Sequence, residues 1–486
     1  MVMVVLLGGC AVTEPGVTAV DSATAPIDGG LFTVDSVPAE PTFEVEPDVV
    51  DFGEAGPRHP EYDGFLTAAF GDIQTFWAEA YPATYGVPWE PLGGGIYAAY
   101  PERESPIPGC DAPVSSYEDV QQGTAFYCID GDFMAYDDAD GLPALVELLG
   151  KEAVAVVLAH EFGHAIQARA GEWDQPGLLK EQQADCFAGA WSAHVASGAS
   201  DVIRFDDADV RAGLVAMIYV RDPLDSGGLS DPLAHGTGFD RVSAFQDGFE
   251  GGAARCATFF TDDRVASMIE IPFDRTDEFG GNLPMIDQNP DPDLGPNDII
   301  TLIPASLDFF WTELAAANGV PFTPPLLAPF STDGPYPDCP GIAADAWQRS
   351  VQYCAADNTI HWDQDFAIEL SLDELTGDMS VGYLLSAAYA DAIQTALNSP
   401  ATGEPRALYS DCLTGAWVGF IVPPIPRDRA NQLVLSAGDL DEAIVTAIAR
   451  ADEHVDTDVN GSAFEKITAF RTGLLGGLNV CRDLAD

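Results

Sequence analysis

From about residue 61 onward the apolar positions read as helices, and the stretches between them are punctuated by Gly and Pro, so the patterning predicts a mostly helical chain. One segment is apolar on nearly every face. Lys151-Glu-Ala-Val-Ala-Val-Val-Leu-Ala-His-Glu-Phe-Gly-His-Ala-Ile-Gln-Ala-Arg-Ala-Gly171 reads as a single helix with Gly171 as its C-terminal cap. Val154, Val156, Val157, Leu158 and Ala159 leave it almost no polar face, which predicts burial. Leu178–Trp191 reads as the next helix. Two stretches break the pattern. Residues 11–60, rich in Pro, Thr, Val, Asp and Glu, read as a disordered acidic tether, with a strand around Leu31-Phe-Thr-Val as the alternative. Residues 276–294, ending in Asn289-Pro-Asp-Pro-Asp-Leu294, read as a linker.

The linker separates halves that repeat one another. Phe76-Trp77 and Tyr85-Gly-Val-Pro-Trp-Glu-Pro91 recur as Phe310-Trp311 and Asn318-Gly-Val-Pro-Phe-Thr-Pro324. Tyr127-Cys128, Ala165-Ile-Gln167 and Asp185-Cys-Phe-Ala-Gly-Ala-Trp191 recur as Tyr353-Cys354, Ala392-Ile-Gln394 and Asp411-Cys-Leu-Thr-Gly-Ala-Trp417. Ala244-Phe-x-x-Gly-x-x-Gly-Gly-x-x-x-Cys256 recurs ending in Cys481. The offset runs from 234 residues (Phe76 to Phe310) to 225 (Ala244 to Ala469), an ordered series that predicts two tandem copies of one domain, 61–275 and 295–486.

Charge and cysteine usage narrow the class. Lys and Arg number 20 against 78 Asp and Glu, a formal charge of −58 that excludes binding to nucleic-acid phosphates and disfavours anionic lipid. Such charge fits a saline habitat or a generally acidic proteome equally. Only three lysines occur, Lys151, Lys180 and Lys466. Met1-Val-Met-Val-Val-Leu-Leu-Gly-Gly-Cys10 reads as the truncated end of a secretory signal. Leu7-Gly-Gly-Cys10 is similar to a bacterial lipobox, which predicts lipidation of Cys10, a start codon further upstream and an extracytoplasmic, lipid-anchored protein, or otherwise a secreted one. The other eight of the nine cysteines duplicate with the domain, so the expected bonds are Cys110–Cys128, Cys186–Cys256, Cys339–Cys354 and Cys412–Cys481.

The chemistry lies in His160-Glu161-Phe-Gly-His164. Histidines at i and i+4 share one helix face, so both can reach a single zinc ion at about 2.0–2.1 Å. Glu161, rotated by about 100° on the helix, can approach the metal's open position and act as general base towards water. The bland alternative, two surface histidines beside a solvated glutamate, conflicts with the apolar helix around them. A third ligand is required. Glu181 and Asp185, at i and i+4 in the next helix, suit a ligand glutamate followed by an aspartate that orients a ligand histidine. A solvated acidic face is the competing reading.

HEFGHAIQ, EQQADCFAGAW, His235-Gly-Thr-Gly-Phe-Asp-Arg241 and AFQDGFEGG-x3-C together resemble the bacterial putative neutral zinc metallopeptidase family over about residues 61–260. The resemblance implies a zincin-like fold, α+β and predominantly α-helical, with one Zn2+ held by His160, His164 and Glu181 and with Glu161 as catalytic base. It places His235 in the family's His-Gly-Thr segment, either as an oxyanion donor or as a turn or cap residue. Tyr127-Cys128-Ile129 departs from the family's Tyr-Cys-Pro.

The second copy acts as an internal control. Aligned through Ala-Ile-Gln, His160, Glu161, His164, Glu181 and His235 fall on Ala387, Ala388, Asp391, Ala407 and Asn460. The chemistry is lost while cysteines, glycines and tryptophans stay, which predicts a catalytically inactive C-terminal copy. Asp185 is the exception, since Asp411 persists, so a role in stabilising the helix pair competes with a role at the metal. The whole reads as an exported zinc metallopeptidase acting on peptide or protein substrates, with a membrane contact only through the lipid anchor. The alternatives are a non-catalytic cell-envelope binding or scaffold protein with a vestigial or structural zinc site, and a zinc hydrolase of a non-peptide amide.

Overall fold

The computed structural model describes residue 43 and residues 48–110, 114–121, 124–221, 236–269, 271, 282–292, 295–373, 375–422, 433–451 and 459–484. The chain divides after Ile269 into two units. The first runs α1 (Asp63–Tyr85), β1 (Gly95–Ala99), β2 (Ile107–Pro108), β3 (Val114–Ser115), α2 (Tyr117–Gln121), β4 (Ala125–Cys128), β5 (Phe133–Asp137), α3 (Gly141–Leu149), α4 (Lys151–Ala170), α5 (Gly177–Ala196), α6 (Asp207–Tyr219), α7 (Gly238–Cys256) and α8 (Asp262–Ala266). The second runs α9 (Ile299–Ala317), β6 (Leu326–Phe330), β7 (Val351–Cys354), β8 (Thr359–Asp363), α10 (Gln364–Leu372), α11 (Asp378–Ala396), α12 (Glu404–Ile421), α13 (Asp439–Ala449), α14 (Ala463–Gly476) and α15 (Leu478–Cys481). Each unit is mostly helical, as the patterning predicts, with a small sheet, which fits the α+β, predominantly α class that the family resemblance implies.

In the first unit the sheet order is β1-β5-β4, with β1 parallel and β4 antiparallel to β5. In the second it is β6-β8-β7, with β6 parallel and β7 antiparallel to β8. The four disulfides join the expected pairs.

Helix α4 is the buried axis of the first unit. Every residue from Ala153 to Gln167 is buried, which explains why its sequence carries no solvent stripe. It ends on Gly171 at φ 73°, a left-handed cap that a Cβ would strain. Helix α5 packs so closely on it that a Cβ on Gly163 would stand 3.0 Å from the Ala184 Cα. The approach of α5 to α7 is closer still. A Cβ on Gly189 would lie 2.0 Å from the Phe245 carbonyl oxygen, and one on Gly248 would lie 1.8 Å from that of Cys186. The Cys186–Cys256 bond clips the same two helices. In the second unit Gly415 and Gly473 stand 1.9 and 1.8 Å by the same measure from the carbonyls of Phe470 and Cys412 on α14 and α12. The recurring glycines and cysteines are thus the parts of one close helix pair, made twice. The recurring tryptophans are buried, with Trp191 donating to Asp72 on α1 at 2.8 Å and Trp417 donating to Ser306 on α9 at 3.1 Å.

Two expectations about segments between domains change. The tether reading fails for residues 48–60. Asp51 lies along β1, donating to the Ile96 carbonyl at 2.8 Å and accepting from Ala98 at 3.1 Å, because Val50 and Phe52 supply apolar anchors that are buried. Residues 282–292, within the expected linker, are tied to the second unit. Leu283 N–H donates to Asp378 at 2.9 Å and Ile299 N–H donates to the Pro284 carbonyl at 3.0 Å. Residues 1–42, including Cys10 and the Leu31 strand alternative, lie outside the described residues, as do 276–281 and 293–294. Helix α9 is long and apolar enough to cross a membrane by length and composition; its Ile303, Leu307 and Trp311 are buried, and Ile303 lies against Gly382 of α11.

The close approach of α5 and α7 makes a direct stability test. Gly248→Ala drives a methyl group into a backbone carbonyl and should cost about 3 kcal/mol or more, read as a lower denaturation midpoint. Gly71→Ala on α1, where a Cβ meets nothing within 4 Å, should instead be neutral or stabilising by up to about 1 kcal/mol.

Candidate metal centre

Helix α4 carries His160, Glu161 and His164 across from Glu181 and Asp185 on α5. All five side chains are buried, with His160 and His164 1% exposed and the three carboxylates fully enclosed. One ligand atom each from His160, His164 and Glu181 gather within 4.8 Å of one another. Glu181 Oε2 lies 3.4 Å from His160 Nε2 and 3.3 Å from His164 Nε2. Three donors on a tetrahedral ion with bonds of about 2.0–2.1 Å stand roughly 3.3–3.4 Å apart, so these separations are edges of a zinc tetrahedron. Neither Nε2 has a hydrogen-bond partner among the described groups. Two buried imidazole nitrogens without hydrogen bonds would be costly in a purely structural core, and the donor set fits zinc.

The other nitrogen of each ring is firmly held. His160 Nδ1 faces Asp185 Oδ1 at 2.7 Å. Arg241 from α7 grips the same carboxylate with two bonds, Nη2 to Oδ1 at 2.7 Å and Nε to Oδ2 at 3.0 Å. Arg241 Nη1 also donates to the Val220 carbonyl at 2.5 Å. Burial alone would raise the Asp185 carboxyl, but Arg241 and His160 outweigh it and hold it below the ordinary carboxylate range. Asp185 is therefore an acceptor only, so His160 carries its proton on Nδ1 and offers the Nε2 lone pair. Arg241 Nη2 lies 3.3 Å from that ring nitrogen and cannot accept from it. Burial opposes a charge on His160, yet Asp185 and Glu181 push its pKa up to about 9, so a metal must displace a proton to bind.

His164 is set by the same logic. Its Nδ1 faces Gln167 Oε1 at 2.9 Å, while Gln167 Nε2 donates to the Lys180 carbonyl at 2.6 Å and to Gln183 Oε1 at 3.0 Å. The Lys180 carbonyl fixes which end of the amide faces the ring, so His164 also donates from Nδ1. Gln183 in turn donates to Glu172 at 2.8 Å and to the Cys256 carbonyl at 3.0 Å, extending the frame to the end of α7.

The residues that aim the histidines have counterparts in the second unit. Asp411 accepts from Tyr383 at 2.7 Å and from Lys466 at 2.6 Å, so a basic residue on α14 and a donor on α11 do for it what Arg241 and His160 do for Asp185. Gln394 donates to Ser410 at 2.8 Å and to the Arg406 carbonyl at 3.2 Å, again bridging two helices. The persistence of Asp411 therefore does not remove Asp185 from the metal site. The aspartate holds its helices together in both units, and in the first it also aims His160. Among the aligned positions, Ala387 and Ala388 are buried, and Asp391 pairs with Arg406 at 3.0 Å.

Sequence reasoning missed Arg241, Gln167 and Gln183 as parts of this centre. Gln167 was visible only as a repeat residue. Arg241 reaches Asp185 across 56 residues of chain, which no local spacing reveals. His235 lies outside the described residues. Aspartate-to-histidine hydrogen bonds of this kind are worth 10–100-fold in metal affinity. Asp185→Asn should lower zinc affinity by about that factor in a chelator competition, with one zinc still bound at saturation.

Residues 121–259 match the model of a family described as putative neutral zinc metallopeptidase. The chain is 31% identical to the uncharacterized protein Rv2575 of Mycobacterium tuberculosis, over 28% of this chain and 54% of that protein. It is 29% identical to the uncharacterized protein YpfJ of Escherichia coli, over 28% and 53%. The chain thus spans about half the length of the curated relatives it matches. No solved structure gives a significant match. The segment that carries the two histidines, both acidic residues of α5 and Arg241 is the segment that matches the putative neutral zinc metallopeptidase family.

Proposed function

We infer that this chain is a zinc-dependent metallopeptidase that hydrolyses peptide bonds. The observation that carries this reading is the convergence of His160 Nε2, His164 Nε2 and Glu181 Oε2, with the buried Glu161 next to His160 on the same helix. His160, His164 and Glu181 would hold one zinc, which when bound would polarise the scissile carbonyl and ease deprotonation of water. Three protein ligands leave a tetrahedral ion one position short, as in catalytic rather than structural sites. Glu161 follows His160 on α4 and is not one of the three converging residues, and in this reading its carboxylate takes a proton from water and delivers it to the leaving amine. Asp185 and Gln167 accept from the two Nδ1 atoms and keep both imidazoles aimed.

The second unit is proposed as a tandem copy that has lost this activity. The shared strand order, the paired disulfides and the Asp411–Lys466 counterpart of Asp185–Arg241 support common descent. The Leu7-Gly-Gly-Cys10 segment supports export with a lipid anchor on Cys10, and durable disulfides need an oxidising compartment. Complete enclosure of the ligands favours, as a second reading, a zinc that only supports the fold.

The deciding comparison is the parent chain against Glu161→Gln, with zinc per chain and cleavage of a peptide library measured for both. The reading expects one zinc in each and cleavage reduced at least about 1,000-fold in the variant, at the upper part of what general-base catalysis supplies. One zinc in both with no cleavage by either would replace the peptidase with the fold-supporting reading or a non-peptide substrate.

A further inference from the structure

A second cluster of potential ligands lies in the other unit, at the junction of the N-terminal ends of α11 and α13. Asp378 is the first residue of α11, and Asp439 and Glu442 lie in the first turn of α13. Each offers a carboxylate oxygen, and these atoms lie within 4.8 Å of one another. The three residues are only 4%, 3% and 7% exposed. Three carboxylates enclosed together would repel one another strongly, and among the described residues no Lys, Arg or His pairs with any of them.

The contacts they do make leave one oxygen over. Asp378 Oδ2 accepts from Leu283 N–H at 2.9 Å, and Glu442 Oε2 accepts from Met379 N–H at 2.8 Å. Asp439 accepts from the Ser436 N–H and hydroxyl at 2.7 and 2.5 Å. Asp378 Oδ1 is buried and has no hydrogen-bond partner. Gly377 belongs to the same cradle, since a Cβ there would lie 2.3 Å from Glu442 Oε1.

The first unit answers the same geometry differently. Asp209 in the first turn of α6 accepts from the Asp206 N–H, as Asp439 does from Ser436. Helix α4 opposite opens on a lysine, Lys151, whose charge acts on Asp209 and whose Nζ pairs with Glu152 at 3.0 Å. Aligned through Ala-Ile-Gln, Lys151 falls on Asp378, and the α6–α13 match places Ala212 on Glu442. A position that carries a cation in one unit carries an anion in the other, and a neutral neighbour has become a second anion.

We propose that Asp378, Asp439 and Glu442 form a binding site for one hard divalent cation of the Ca2+ class, which takes the place of the Lys151 ammonium. An all-oxygen carboxylate set suits Ca2+, Mg2+ or Mn2+ and not zinc. The enclosure favours Ca2+, which accepts irregular protein cages, over Mg2+, which keeps several waters. The cation would lock the start of α11 to α13 and to the 282–292 segment through Leu283. The competing occupant is protons, since burial pushes all three carboxyls up when no cation is present, and neighbouring carboxylates push Asp439 and Glu442 up further. This inference uses the correspondence between the units but not the peptidase activity.

The test uses the full chain with zinc bound, stripped of other metals, titrated separately with Ca2+, Mg2+ and Mn2+ and followed by calorimetry and thermal unfolding. The expected result is one Ca2+ per chain with a raised unfolding temperature, and at least a tenfold loss of affinity in Asp378→Asn. Asp378→Lys restores the charge found at Lys151, so it should unfold no lower than the Ca2+-loaded parent and no longer respond to Ca2+. That variant decides the question even where Asp378→Asn fails to fold. A parent that none of the three cations stabilises at millimolar concentration would overturn the site. So would an equal Ca2+ response in parent and Asp378→Lys, which would mark diffuse binding to an acidic surface.

Discussion

A buried carboxylate with three hydrogen bonds organises the first unit. Asp185 has no solvent exposure, and it joins His160 on α4 to Arg241 on α7 while standing on α5. Burying a carboxylate costs several kcal/mol unless charge and hydrogen bonds compensate. Arg241 supplies both, through a planar two-bond grip that fixes the distance between α5 and α7. Because the ion pair keeps Asp185 charged, His160 has one available tautomer, and its free nitrogen points where a metal would sit. Helix packing, ring orientation and metal affinity are in this sense consequences of one interaction.

The second unit has a comparable frame without the histidines. Asp411 keeps a cation, Lys466, and takes Tyr383 as its second donor, so its helices stay joined although no ring remains to be aimed. The glycines that let α12 meet α14 and the disulfide that clips them are likewise retained. Such a frame therefore holds without the histidines, and among the described residues of the first unit Asp185, Gln167, Gln183 and Arg241 join the helices as well as the candidate ligands. The electrostatics of the two units differ at the start of α11, where Asp378 stands at the position that Lys151 holds in α4.

Much of this was legible in the sequence because it is local. The i, i+4 histidines, the apolar run before them and the Gly171 cap lie within one helix, and Glu181 lies in the next. The strand order was not legible, because β1 pairs with β5 across a chain segment that includes a disulfide-bearing loop. The internal comparison sets His160, Glu161, His164 and Glu181 apart from the residues the two halves share, and at Asp185 it leaves the two roles in competition. It assumes that a residue has one duty, and a buried carboxylate that satisfies two helices is retained whether or not it also orients a ligand. The acidic 48–60 stretch was misread for a related reason, since composition alone cannot weigh Val50 and Phe52 against the charges around them.

The central claim is that two imidazoles and one carboxylate of the first unit share one zinc ion. X-ray absorption at the zinc edge of the purified full chain tests it most directly. The account predicts light-atom neighbours only, at about 2.0–2.1 Å, with the multiple-scattering signature of two imidazoles. Zinc–sulfur scattering near 2.3 Å, or a folded chain that retains no zinc, would contradict it.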